Sequence, residues 1–258
     1  MSDILVSRDG SVLQLELNRP AKKNAITAAM YEALISAFKE AAADPGVRVV
    51  LICGAGSAFC AGNDLGDFLA ASAASGITTD SPPVRFIEAL VTFPKPIVAA
   101  VGGVAVGIGA TMLLHCELVY ASEAARLSMP FVSLGLVPEA ASSLLLPERV
   151  GHLIASEMLL LGTAIEAHRA VELRLVNQVV TPASELLNFA RGKAHELAQR
   201  PPRAVRTTKA LLRSHQAAVM ACVKEEEHHF AASLLSPEAR EALTAFLERR
   251  PPDFSQFS

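Results

Sequence analysis

The run Pro96 to Leu114, PIVAAVGGVAVGIGATMLL, carries no charge and holds Gly102, Gly103, Gly107 and Gly109. Its length and hydropathy allow two folds. It could cross a bilayer, or it could be a buried β-branched strand (97–101), a glycine turn and the start of an apolar helix. The second reading fits the rest of the chain, where short apolar runs alternate with helical patterns as in an α/β domain. The expectation is therefore a wound α/β core, not a membrane protein.

Composition agrees with a large core. The chain has 258 residues, 51% hydrophobic and 19% charged, which argues against disorder. Absence of Trp, two Tyr and a net charge of −3 give neither an aromatic platform nor a basic field for nucleic acid. Cys53, Cys60, Cys116 and Cys222 form no C-x-x-C pair, so zinc ribbons, dithiol redox chemistry and a disulfide framework lack support. The amino terminus reads as no secretory signal, and the expected setting is reducing and cytoplasmic.

The pattern predicts a β-hairpin around Asp9-Gly10, a helix over 27–43 with Met30, Leu34, Ile35 and Phe38 at helical spacing, and a buried strand over 47–53. A helix over 64–72, a mobile loop over 73–83 and a helix over 85–91 follow. Strands are expected at 117–121, 126–129 and 176–180, with helices at 140–149, 153–161 and 165–172. From 184 onward only helical patterns remain. The division is a core over 1–195 and a helical region over 196–258.

Two stretches carry candidate chemistry. GAGSAFCAGNDL (54–65) and VGGVAVGIGATM (101–112) each follow an expected strand and lead into an expected helix. Backbone N–H groups at such turns are unpaired and lie at the positive end of the helix dipole. Two that converge form an oxyanion hole, although glycines in a turn by themselves establish only a turn. Neither G-x-G completes a dinucleotide fingerprint, since Phe59 and Met112 stand at the third glycine position. His228-His229 after Glu225-Glu226-Glu227 lacks the spacing of a metal site and reads as a polar helix face.

Glu139 is the other candidate. It is the sole ionisable side chain in LVPEAASSLLLP (136–147). It is either a first-turn acid facing the helix dipole or a buried carboxylate. Burial raises its pKa and the helix end lowers it, a balance that suits a base at neutral pH.

In order and spacing, these stretches resemble the crotonase superfamily, the enoyl-CoA hydratase/isomerase group. LNRPAKKNAIT (17–27) resembles its early loop and GAGSAFCAGNDL its A-G-x-D motif. PKPIVAAVGGVAVGIGATMLLHCELVYASEAARLSMP (94–130) resembles its second glycine segment with the strands that follow, and AFLERRPPDF (245–254) its last helix end. The resemblance implies a spiral of ββα turns, a helical C-terminal region that builds trimers or hexamers, and an acyl-CoA thioester ligand. Coenzyme A is then part of the substrate, with no separate cofactor and no metal.

It also implies roles. The N–H groups of Asn63 and Ile108 would form the oxyanion hole. The two glutamates of hydratases fall at Thr111 and Phe131, so neither is present. Glu139, in LGLVPEAASS, matches the single glutamate of the Δ3,Δ2-enoyl-CoA isomerases and would act as base and acid. Thr111 and Phe131 become pocket wall, and Phe246 a candidate for the acyl tunnel. Lys22 or Lys23 would meet CoA phosphates, Ala25 and Ala61 would lie near adenine, and Asp64 and Leu65 flank the first donor. Arg249 would reach a neighbouring subunit's CoA. Isomerisation leads; hydration, thioester hydrolysis, decarboxylation or silent acyl-CoA binding stay open.

Overall fold

The computed structural model describes residues 2–67, 78 and 80–257. The loop expected over 73–83 and the helix over 64–72 fall largely outside them; 65–67 are helical. Strands β1 (Ile4–Asp9) and β2 (Val12–Leu17) form the antiparallel hairpin, closed at Asp9↔Val12 with Gly10 at φ 56°. Thr27 caps α1 (Ala28–Ala43) by accepting from the Met30 N–H. β3 (Val49–Gly54), α2 (Pro82–Thr92) and β4 (Ile97–Val101) follow.

Here the chain departs from expectation. After Gly102-Gly103 it makes a further strand, β5 (Val104–Val106), before the short helix α3 (Ile108–Thr111). A Cβ at Gly103 would lie 2.0 Å from the Ser57 carbonyl oxygen, so the turn needs glycine for close passage. β6 (Leu118–Ser122), β7 (Arg126–Ser128), α4 (Ser142–Val150) and α5 (His152–Leu160) come next. The expected helix at 165–172 begins as a strand, β8 (Ile165–Glu166), then becomes α6 (Ala167–Glu172). β9 (Gln178–Val180) is the last strand, followed by α7 (Leu186–Ala198), α8 (Pro202–Leu212), α9 (Gln216–Leu234) and α10 (Pro237–Glu248).

One sheet has the order β1-β2-β3-β4-β6-β9, parallel from β2 onward, and a second has the order β5-β7-β8. β4 and β5, then β6 and β7, each place one strand in the large sheet and one in the small sheet. These are the ββα turns of a spiral. The large sheet is covered on both faces, which explains its unbroken apolar strands. Val50, Ile52 and Ala99 face the core under α1 and α2, whereas Val49, Leu51 and Val98 face Leu186, Ala190 and Ala194 of α7. The boundary expected at 195/196 falls inside α7. Tyr31 and Phe38 of α1 meet Phe86 of α2 at ring separations of 5.3 and 6.1 Å, which fixes α2 beside α1. α9 packs across α2 and α4. Among the described residues no helix is long and apolar enough to cross a membrane.

Candidate active site

The first glycine loop is tied to the segment at 19–27. Asn24, at φ 58°, donates from Nδ2 to the carbonyls of Ala55 and Ala58 and accepts from the Arg19 N–H. The two segments then run parallel: Ile26 donates to the Gly62 carbonyl and Asp64 to the Ile26 carbonyl, bracketing the bridge Ile26↔Asn63. In a parallel bridge the bracketed residue's own N–H points away. The Asn63 N–H has no hydrogen-bond partner among the described residues. Its side chain is held by the Tyr31 hydroxyl, which donates to Oδ1 at 2.5 Å.

The second loop reaches the same place. Cys60 bridges Ala105 of β5, and the Val106 N–H donates to the Cys60 carbonyl. A Cβ on Gly62 would lie 3.1 Å from the Val106 carbonyl oxygen, and one on Gly109 would lie 2.6 Å from that of Cys60. Glycine at both positions lets the two loops touch. Gly107, at φ 54° and ψ −123°, turns the chain from β5 into α3 in a conformation reserved for glycine. The Ile108 N–H opens that helix and also lacks a partner among the described residues. Two free N–H groups on abutting loops are the elements of an oxyanion hole.

Glu139 is buried. It stands ahead of α4 and not in its first turn: Ala140 and Ala141 intervene, both left-handed at φ 57° and 56°. The helix-dipole explanation therefore does not account for its position. The Thr111 hydroxyl donates to Glu139 Oε1. Burial raises the carboxyl to about 8, opposed by the Thr111 hydrogen bond and assisted by the charge of Glu226. Two consecutive left-handed alanines are strained by about 1–2 kcal/mol each, and three groups hold them in place. His115 Nε2 donates to the Ala140 carbonyl at 2.8 Å, and Glu226 accepts from the Ala141 and Ser143 N–H groups at 2.6 and 2.8 Å. The Ser142 hydroxyl donates back to the Glu139 carbonyl at 2.6 Å. Burial drives His115 down to about 3, so it is neutral and its Nε2 carries the proton.

Glu139 and Asn63 line one small cavity with Tyr31, Pro83, Val84, Ile87, Glu227 and Phe230. A larger cavity, of about 300 Å³, is lined by Leu114, Glu117, Arg149 and Arg213 among others and shares no residue with it. Sequence-based reasoning missed Tyr31, Glu226 and Glu227. The glutamate block read as a polar face has two of its three members turned inward: Glu226 is buried, and Glu227 reaches the cavity.

The enoyl-CoA hydratase/isomerase family model matches residues 7–257. The chain belongs to the enoyl-CoA hydratase/isomerase family. It is 37% identical to enoyl-CoA delta isomerase 2 of Rattus norvegicus, aligned over 96% of this chain and 64% of that protein, so it spans less than two thirds of that relative. It is 35% identical to 2,3-dehydroadipyl-CoA hydratase of Escherichia coli, over 98% and 99% of the two chains. The solved structure of OdaA from Pseudomonas aeruginosa superposes with a TM-score of 0.92 at 45% identity, covering 96% of this chain and all of that one. That of an enoyl-CoA hydratase/isomerase from Pseudoalteromonas atlantica gives 0.92 at 39% identity, covering 98% of this chain.

Within this enoyl-CoA hydratase/isomerase fold the other expected residues divide. Thr111 touches the carboxylate itself, a closer role than pocket wall. Phe131 is buried, with Cε1 3.9 Å from where a Gly107 Cβ would stand. Asp64 is engaged by Arg19 at 2.7 Å and by the N–H groups of Gly66 and Asp67; the Arg19 hydrogen bond is the main cause of its lowered pKa. Leu65 packs on the core. Lys22 and Lys23 are exposed beside Ala25, whose carbonyl accepts from Arg19, and Ala61, which donates to the Lys23 carbonyl. Phe246 and Arg249 are exposed on and just after α10, and neither lines the Glu139 cavity of its own chain.

Proposed function

We propose that the chain is a Δ3,Δ2-enoyl-CoA isomerase. One observation carries this reading: Glu139 lines a cavity with Asn63, while the two positions where hydratases hold glutamate are Thr111 and Phe131. As a carboxylate, Glu139 takes a proton from C2 of a 3-enoyl-CoA. The electron pair moves into the thioester, and the N–H groups of Asn63 and Ile108 hold the oxygen that gains charge. The same carboxyl then delivers the proton to C4, leaving the double bond between C2 and C3. Those N–H groups act mainly in the transition state and the dienolate, so they accelerate reaction more than they tighten binding. A base raised to about 8 by burial is matched to a carbon acid and is partly ionised at neutral pH. Pro83, Val84, Ile87 and Phe230 supply carbon surface against the acyl chain. The cavity is only about 30 Å³, enough for one or two waters, so an entering chain must move this wall.

The proposed CoA contacts are Lys22 and Lys23 at the phosphates and Ala25 and Ala61 at the adenine. The proposed assembly is a trimer or a pair of trimers, with Arg249 and Phe246 facing a neighbouring subunit. Incubation with 3-hexenoyl-CoA and with 2-hexenoyl-CoA, separately, tests the assignment. Isomerisation of the first without hydration of the second is expected, and Glu139→Gln should cut it by about 10²–10⁴. Hydration of the second as the main activity would overturn the reading.

A further inference from the structure

Glu225, Glu226 and Glu227 follow one another on α9, and the helix sends them three ways. Glu225 pairs with His229 at the surface, 3.1 Å away. Glu226 holds the backbone of Ala141 and Ser143. Glu227 faces the Glu139 cavity; its Oε1 is closed off from solvent and has no hydrogen-bond partner among the described residues.

The hydroxyls beside that cavity are already committed to other partners. The Tyr31 hydroxyl donates to Asn63, and Glu139 Oε1 receives the Thr111 hydroxyl. The rest of the wall is carbon from Pro83, Val84, Ile87 and Phe230. A buried acceptor facing such a wall is costly unless something supplies a donor. Burial, followed by the charge of Glu88, pushes the Glu227 carboxyl up, with Lys224 opposing. The isomerisation steps above make no use of it.

We propose that Glu227 recognises a hydrogen-bond donor, a hydroxyl or an amine, carried on the acyl chain of the CoA thioester. The inference rests on the Glu139 cavity being the acyl site. A plain alkyl chain would leave Oε1 unmatched; a chain bearing O–H or N–H at that depth would complete it. Sites built around a buried polar group reject ligands that lack its partner far more strongly than sites that measure one methylene.

Calorimetric titration of the full chain tests this without turnover. The probes are hexanoyl- and octanoyl-CoA and their analogues bearing a hydroxyl or an amine at successive carbons of the distal half. At least one substituted chain should bind about tenfold more tightly than its alkyl parent. Glu227→Leu should erase or invert that ratio, and Glu227→Gln, which keeps an acceptor, should retain it for the hydroxyl series. A larger gain with the hydroxyl marks a neutral donor, and one with the amine a cation; either supports the proposal. It is overturned if no substituted chain outbinds its parent, or if the preference survives Glu227→Leu. Parallel assays with 3-hexenoyl-CoA separate the two readings. Conversion without any binding preference sinks the role of Glu227 alone, and preference without conversion sinks the isomerase alone.

Discussion

The Thr111 hydroxyl donates to Oε1 of Glu139 from the first turn after Gly107, the glycine that brings β5 into α3. The bond joins the helix that presents the Ile108 N–H to the acid that would move the proton. It favours the charged carboxylate, against a burial that favours the neutral acid. Thr111→Val keeps the shape and removes the donor. A hydrogen bond to a charged group is worth about 1.5–3 kcal/mol, and about 1.4 kcal/mol is one pKa unit. The midpoint of kcat/KM against pH should move up by about one unit or more, and activity at pH 7 should fall about tenfold. An unmoved midpoint would show that Thr111 does not tune the base.

Glu139 itself should link activity and stability in opposite senses. Its folded pKa of about 8 lies above the 4.5 of an ordinary glutamate. Below the lower value both folded and unfolded chains hold the proton, and the group is neutral to stability. Between the two the unfolded chain releases it and the folded chain does not, so stability falls as pH rises and levels off above the upper value. The accumulated cost is on the order of 5 kcal/mol. Glu139→Gln should therefore unfold at higher denaturant than the parent at pH 9 and about equally at pH 4. Its isomerase activity should drop by about 10²–10⁴. A variant less stable than the parent at high pH would contradict the buried charge.

Much of this site was legible from residue order, and the parts that were not share a cause. The glycine loops and Glu139 announce themselves locally, by glycine spacing and by an acid among aliphatics. Tyr31 sits one residue from Met30 on a helix whose apolar stripe explains it as core. Glu226 and Glu227 lie 87 and 88 positions along the chain from Glu139 by their numbering, and local polarity reads them as solvated. Their inward turn depends on α9 packing across α2 and α4, a tertiary choice that no short window contains. β5 was missed for the opposite reason: Val104–Val106 is too short to separate from the apolar helix that follows.

Glu226 acts on Glu139 through the strained turn and through its charge, and the two effects can be parted. Glu226→Gln keeps one acceptor for Ala141 or Ser143 and gives up the other. The turn should loosen, with kcat falling several-fold and KM nearly unchanged. Loss of the nearby negative charge should also lower the Glu139 midpoint, since that charge raises it. A purely structural role would lower stability and leave the pH profile where it was.

Large apolar side chains remain uncovered on the single chain, among them Leu153 at 82% exposure, Leu161 at 73% and Leu211 and Leu212 at 70% and 71%. The proposed trimer or pair of trimers would cover such side chains where they form a contiguous patch. Light scattering after size exclusion should return three or six times the mass of one chain. Leu212→Lys should shift the population toward smaller species if α8 contributes to that contact. A parent chain that elutes as a monomer would remove the assembly from the proposal.

The meeting of the two loops at Gly109 offers the sharpest test of the oxyanion hole. An added Cβ would stand 2.6 Å from the Cys60 carbonyl oxygen and 2.8 Å from the Cys60 Cβ, distances that force movement. Ile108 is the neighbouring residue on one side, and Asn63 lies three residues beyond Cys60 on the other. Gly109→Ala therefore wedges apart the segments that carry the two N–H donors. Overpacking of this size costs about 1–3 kcal/mol of stability. Misplacing one donor costs about 10²–10³ in kcat. The catalytic loss should thus exceed what a partly unfolded sample explains, and it should persist at low temperature where the variant is fully folded. Gly192→Ala in α7 is the matched control, because a Cβ there meets nothing within 4 Å. That change should leave activity intact and stabilise the helix by about 0.5–1 kcal/mol. Full activity in folded Gly109→Ala would mean that the two amides do not act together on the thioester oxygen.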